Sequence, residues 1–422
     1  MKNKFFGENF VFYVFFILLP IFTFFLGYQI SERQKNEISI EKVPAETSEK
    51  KTEKIDLSFM RDALKVAKEH FVDPEKIDPD KIKFALARAV IWSLDDPYSE
   101  FMTPEEMHDF ADEIDGNLEG IGAELTVKNG AIVVVSPLRD SPAEKAGLLP
   151  NDVVLKINDE KADADKFISM IKKIRGKPGT KVAITIFRPK TGEEKTFEIT
   201  RKKLHVKSVK LKWREKIAIL EVSQFGTDTE KEFNEALAKA LAKNPRGIIL
   251  DLRFNGGGFL DTAIKMVSAF LKDGKVVIQE GRPPETLSYF VTGNVKTDLP
   301  LVILQNGGSA SASEIVAGAI QDHGRGTIIG EQSFGKGTVQ DIIKVHGGAN
   351  VKITVAKWLT PKGNWISEVG ITPDIKIPRT DDDFENDRDP QLDAAVDFLK
   401  GKTPEEIAKK FNGEIPQKSE KK

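Results

Sequence analysis

Cysteine is missing from all 422 residues, and that absence removes disulfides, thiolate metal sites, a cysteine nucleophile and a lipidated N-terminal cysteine together. Histidine is scarce. His70, His108, His205, His323 and His346 lie far apart and match no ligand spacing such as HExxH, so neither a metal nor another cofactor is expected. Neither sign of charge is in excess: 63 Lys and Arg stand against 65 Asp and Glu, a formal net charge of −2. No long basic block interrupts the chain away from its termini, which argues against nucleic acid as a partner. Trp and Tyr occur four times each but Phe 27 times, and the phenylalanines crowd the N-terminus.

There, "FVFYVFFILLPIFTFFLGY", Phe10 to Tyr28, runs for 19 residues without a charge. That length can cross a bilayer core. Pro20 interrupts it, but membrane helices tolerate a proline. Lys2 and Lys4 precede the run, Glu32, Arg33 and Lys35 follow it, and no Ala-x-Ala cleavage site is present. The expectation is an uncleaved signal anchor at 10–28, with the stub 1–9 in the cytoplasm and everything after Tyr28 outside it. Residues 29–54, rich in Glu, Lys, Ser and Thr, read as a disordered polar tether.

A chain of this length exceeds one ordinary core. Residues 55–111 carry apolar positions at helical spacing in "LSFMRDALKVAKEHF" and "PDKIKFALARAVIWSL", a small helical unit. From 112 to 203 the period shifts to short β-like runs ("AELTV", "AIVVVSPL", "DVVLKIN", "KVAITIF", "KTFEITR") around one helix. From 204 to 379 strands and helices alternate: "KIAILEVSQF", "DTEKEFNEALAKALAKN", "RGIILDLR", "FLDTAIKMVSAFLKD", "PLVILQN", "SASEIVAGAIQDH". That alternation predicts an α/β core. Residues 380–422 supply closing helices and a polar tail.

Two stretches of the α/β region can carry chemistry. In "DLRFNGGGF", Asp251 to Phe259, a buried strand runs into three glycines and then a helix, so backbone amides become available to an anion. No Lys-Ser/Thr pair follows, which weakens a phosphate-loop reading. In "NGGSASASEI", residues 306–315, three serines alternate before a helix. Ser311 sits where a hydroxyl feels the positive helix end and where the next amide, of Ala312, is free to donate. Ser311-x-x-Glu314 is equally a capping box. A nucleophilic serine needs a base, and two residues downstream offer one. His323, before Gly324, has the position of a helix C-terminus. Lys336 lies between Gly335 and Gly337 and can act only if desolvation lowers its ordinary pKa of about 10.4.

Together, "SLDDPYSEFM", "GIGAEL", "SPAEKAGLLPNDVVLKIN", "LDLRFNGGG", "NGGSASASEIVAGAIQDHGRGTIIGEQSFGKGTVQ" and "LTPKGNWISEVGITPDI" resemble the carboxyl-terminal processing peptidases, serine proteases of the Ser-Lys type. The resemblance covers nearly the whole chain beyond the tether. It implies an α/β protease core with an inserted β-rich PDZ domain. It implies Ser311 as nucleophile, Lys336, 25 positions later, as general base, and Gln340 as the residue that orients the lysine. The oxyanion hole would be Ala312 with one glycine of Gly256 to Gly258, Gly257 being the first choice. In the PDZ-like unit, Gly120, Ile121, Gly122 and Ala123 would cradle a terminal carboxylate, and Ile121, Ala123 and Leu125 would alternate along the peptide-binding strand. The expected partners are protein substrates with apolar free C-termini, and a homo-oligomer is compatible with the sequence. Two rivals stand beside this reading: a membrane-tethered PDZ scaffold with an inactive core, and an acyl-CoA enzyme that uses the glycine amides without Lys336.

Overall fold

The computed structural model describes residues 40–43 and 55–416, except positions 129, 139, 150, 283–284 and 387. The expected span at 10–28 lies outside the described residues. Among those described, no helix is long and apolar enough to cross a membrane. One part of the expected tether is ordered as a strand: Ile40–Val43 pairs antiparallel with Thr286–Phe290. A polar composition does not prevent this, because an open sheet edge supplies main-chain partners to any short extended segment.

The α/β alternation expected from 204 onward forms a six-stranded sheet. Its order is Val209–Arg214, Ile217–Val222, Gly247–Asp251, Leu301–Gln305, Thr327–Gly330 and Ile375–Lys376. The first pair is antiparallel and every later pair parallel. Parallel strands buried on both faces read as unbroken apolar runs, which is why "GIILD" and "LVILQ" are buried at every position. Side chains then alternate between two cores. Ile248, Leu250 and Ile303 join the cluster beneath helices Thr229–Leu241, Leu260–Ser268 and Ala312–Asp322. Ile249, Val302 and Leu304 join the opposite cluster with Ala395 and Leu399 of the helix Pro390–Leu399. Cutting back one such side chain to Ala would remove about 2–5 kcal/mol.

A second, antiparallel sheet stands beside the first, with Lys275–Glu280, Asn350–Leu359 and Thr338–Lys344 adjacent in it. Glu100–Met102 joins this sheet by pairing with Asn350–Lys352. The expected helical unit at 55–111 is therefore divided. Helices Ser58–His70 and Pro79–Trp92 bury no residue, whereas Met102, Phe110 and Ile114 pack with Ile342 of the core.

Between them, the strands Ala123–Lys128, Ala131–Pro137, Val153–Ile157, Lys181–Arg188 and Glu193–Thr200 form a separate sheet in that order. It closes over its own core with the helix Phe167–Ile174. Asn117–Gly120 and Lys202–His205, paired antiparallel, carry the chain into and out of this unit.

Candidate active site

Strands Gly247–Asp251 and Leu301–Gln305 are parallel neighbours, with Asp251 opposite Leu304. Whatever follows each strand must emerge side by side at the same sheet edge, where open α/β sheets place their sites. The glycine loop follows the first and the serine turn the second. They touch: a Cβ built on Gly257 would lie 2.7 Å from the Ser311 Cβ and 3.0 Å from the Ala312 nitrogen. Gly257 also has φ 107°, so this position excludes a side chain twice over.

The three serines part company here. Ser309 Oγ donates to the Leu252 carbonyl at 2.8 Å and Ser313 Oγ to the Asn255 carbonyl at 2.8 Å, so both tie the serine turn to the glycine loop. Ser311 is fully buried, and its Oγ makes no hydrogen bond among the described residues. Its backbone is strained, with φ 56° and ψ −115°, a region that non-glycine residues occupy only when surroundings impose it. Of the expected capping box, one half is made: Glu314 Oε2 accepts from the Ser311 amide at 2.8 Å. The serine hydroxyl that would complete the box remains unpaired.

Glu314 does more than cap. Its Oε2 also accepts from the Lys336 amide at 3.0 Å, and Oε1 takes Ser333 Oγ and the Gly335 amide, both at 2.6 Å. Burial pushes its carboxyl up from the ordinary range against these hydrogen bonds. The carboxylate brackets the serine turn to the lysine loop. The sequence reading took Glu314 only as a helix cap, because the four donors come from positions up to 22 residues away.

Lys336 is 3 % exposed. The flanking glycines permit this: a Cβ on Gly335 would meet the Gly370 nitrogen at 2.9 Å, and one on Gly337 the Ser367 nitrogen at 2.8 Å. Trp358 Nε1 donates to the Lys336 carbonyl at 2.8 Å. The Lys336 Nζ lies 4.9 Å from the centre of the Tyr98 ring, which brings "SLDDPYSEFM" into the site. Burial, and then the nearby Lys352 cation, lower the Lys336 amine to about 7, with Glu314 and Asp96 opposing. His323 is elsewhere: it terminates its helix, and its Nε2 lies 2.7 Å from the Lys275 carbonyl oxygen.

Gln340 is fully buried. Its Nε2 donates to Thr338 Oγ1 at 2.9 Å and Thr354 Oγ1 at 3.0 Å, while its Oε1 has no hydrogen-bond partner among the described residues. No bond joins Gln340 Oε1 to Lys336 in this state. The expected oxyanion donors differ in readiness. Ala312 is the first residue of its helix, so its amide lacks an intrahelical acceptor. The Gly257 amide instead donates to Asn255 Oδ1 at 2.9 Å, a partner that the sequence reading missed because it stands only two positions away inside the loop.

In the β-rich unit, Gly122 has φ 74°, and its carbonyl accepts from Leu138 N at 2.9 Å, while the Ile121 carbonyl accepts from Ala143 N at 2.8 Å. Ile121 is buried in this unit's own core, and Ala123 and Leu125 pack against it. Their side chains thus face inward rather than lining an open groove. Gly120 ends the entry strand, opposite Lys202. Ala123–Lys128 is an edge strand, paired among the described residues only with Ala131–Pro137 in its sheet. A shallow surface cleft lined by His205, Asp228 and Glu232 contains none of the candidate site residues.

Residues 216–377 match the family model of peptidase family S41, and residues 120–200 match the PDZ domain. A "probable CtpA-like serine protease" of Staphylococcus aureus is 37% identical over 330 residues, covering 78% of this chain and 66% of that one. The protein of the same name in Staphylococcus epidermidis is 40% identical over 309 residues, covering 72% and 62%. The chain spans just under two thirds of the length of these relatives. The photosystem II D1 C-terminal processing protease superimposes with a TM-score of 0.50 at 26% identity, over 76% of this chain and 89% of that structure. With the two family matches lying in the α/β core and the β-rich unit ahead of it, the chain belongs to peptidase family S41 and carries a PDZ domain before its protease core.

Proposed function

We propose that the chain is a membrane-anchored serine endopeptidase that captures protein C-termini on its PDZ domain and cleaves near them. Ser311 is the nucleophile and Lys336 the general base. The neutral amine takes the hydroxyl proton as Ser311 Oγ attacks the peptide carbonyl, and the proton then passes to the leaving amine as the acyl-enzyme forms. The same amine activates water, whose attack on the ester frees Ser311. Ala312 and Gly257 stabilise the oxyanion, Gly257 once its amide leaves Asn255 Oδ1. Gln340 Oε1 holds the lysine during turnover. The carrying observation is Ser311 itself: of the three alternating serines it has the strained backbone and the unpaired hydroxyl.

On the PDZ domain, a peptide adds to the free edge of Ala123–Lys128, with its carboxylate at the amides of Gly120 to Ala123. Residues 10–28 hold the chain in the membrane, with the catalytic part outside the cytoplasm. One experiment tests both the side and the nucleophile: a membrane-impermeant, serine-directed probe is added to intact spheroplasts. Wild-type chain should be labelled and Ser311→Ala should not. Labelling only after lysis reverses the orientation, and equal labelling of Ser311→Ala removes the nucleophile assignment. Purified Lys336→Arg should fold without hydrolysing peptide, while His323→Ala stays active; the opposite pattern would make His323 the base.

A further inference from the structure

Lys352 is only 1 % exposed, nearly as buried as any apolar residue of the core. A cation costs several kcal/mol to desolvate, and the Ser-Lys mechanism gives this one no task. Its position is defined by register. Lys352 stands directly opposite Glu100 across the strand pair, with Nζ 3.0 Å from Glu100 Oε2. On the strand Asn350–Leu359, alternation puts Asn350, Lys352 and Thr354 on one face, the last two opposite Ile342 and Gln340, before a bulge ahead of Ala356 breaks the period. That face lies beside the proposed base: Thr354 Oγ1 accepts from Gln340, and the segment that carries Glu100 also brings the centre of the Tyr98 ring to 4.9 Å from the Lys336 Nζ.

We infer that Lys352 is a positioning residue that keeps Lys336 in its neutral, proton-accepting form, and that Glu100 sets how strongly it does so. The inference rests on the reading of Lys336 as general base. Among the described residues, the charged and titratable groups around Lys336 come from four places. Asp96, Tyr98 and Glu100 lie on the N-terminal segment, Glu314 on the serine helix, Glu368 on the loop whose amide donates to the Gly335 carbonyl, and Lys352 on the strand. Lys352 alone among them shares the sign of a protonated Lys336. Its repulsion follows burial in disfavouring the Lys336 proton, and Glu314 and Asp96 act the other way. The Glu100 side chain is 49% exposed, so it is the member of the pair that can change partner without unpacking the core. Drawing Glu100 away leaves the buried cation uncompensated and drives the proton from Lys336 more strongly.

The test compares the full chain with Lys352→Met, Lys352→Arg and Glu100→Gln. Two readouts are taken across pH: kcat/KM on a peptide, and acylation of the Lys336 amine followed by mass spectrometry, which needs no turnover. Lys352→Met should move both midpoints up by about one pH unit, since a like charge has gone. Lys352→Arg should leave them in place, and Glu100→Gln should move them down. A merely structural Lys352 would lower the rate or the stability and leave the Lys336 midpoint unchanged, and that result overturns the inference. Should Lys352→Met fail to fold, Glu100→Gln decides alone: a midpoint that stays or rises overturns it. Midpoints that move as expected in a chain that hydrolyses nothing would keep the lysine coupling and sink the peptidase reading. Turnover with an unmoved Lys336 midpoint does the reverse.

Discussion

The PDZ edge and the serine site solve opposite problems within one chain. Ala123–Lys128 offers main-chain groups along an open sheet edge, whereas Ser311 and Gln340 are fully buried and Lys336 nearly so. Strand addition needs only unpaired N–H and C=O groups, and these work while wet. A lysine that must lose its proton near neutrality needs the reverse, because water would restore its ordinary affinity for the proton. On the proposed function, recognition can therefore sit on a small domain with its own core, and proton transfer has to sit at buried residues. The sealed site also means that a polypeptide reaches Ser311 only after neighbouring segments shift.

If that contrast is right, damage inside the sealed site should spare the edge. Glu314→Gln is the sharpest case. Its amide nitrogen would face N–H or O–H donors where a carboxylate oxygen now accepts two, so the bracket between Ser311 and Lys336 loses about half its bonds. Misplacing the two by a fraction of an ångström should lower kcat roughly 100-fold. Peptide binding by the PDZ domain should not change. Full kcat in a folded Glu314→Gln chain would show that the strained serine turn holds itself.

The edge can be damaged separately, through the ligand. Amidating the C-terminus of a bound peptide removes a charge that the amides of Gly120 to Ala123 are proposed to meet, and should weaken binding roughly tenfold. The full-length Ser311→Ala chain serves for this titration, because without the proposed nucleophile it should not consume the peptide. Equal affinity for free and amidated peptides would leave the strand edge as the whole of recognition.

How far the sequence alone reached follows the same division. Alternation and unbroken apolar runs revealed the α/β core, because parallel strands buried on both faces carry their environment in their composition. Glycine and serine patterns marked the stretches around Ser311 and Lys336 as candidates, while the roles proposed for the two residues came only with the family resemblance. The four donors converging on Glu314, and the opposition of Lys352 to Glu100, were not: these contacts join residues 252 positions apart in one case, and no local period encodes them. Glu100–Met102 was missed as a strand because its partner lies in the core, and three residues between helices show no period of their own. That the Ile121 side chain enters the domain core was not legible either, because a lone isoleucine after a glycine gives no clue to which face is covered.

A change in stability rather than in activity or binding tests what the sealed site costs. Folding lowers the Lys336 amine from 10.5 to about 7, mainly by burial. Between those two values the unfolded chain binds a proton that the native chain does not, so stability rises with pH through that window, and the penalty is fully present below about 7. Lys336→Met removes the group and should be the more stable protein at pH 7 by roughly 2–4 kcal/mol, with no turnover. The gap should close as pH approaches 10.5, where the lysine is neutral in both states. Denaturant midpoints of the two chains at pH 7 and pH 10 measure this directly. In the wild type, the same titration makes kcat/KM fall about tenfold per pH unit below 7. A methionine variant no more stable than wild type at pH 7 would mean that Lys336 keeps its proton in the folded chain, and the proposed base would then lack the neutral amine its role requires.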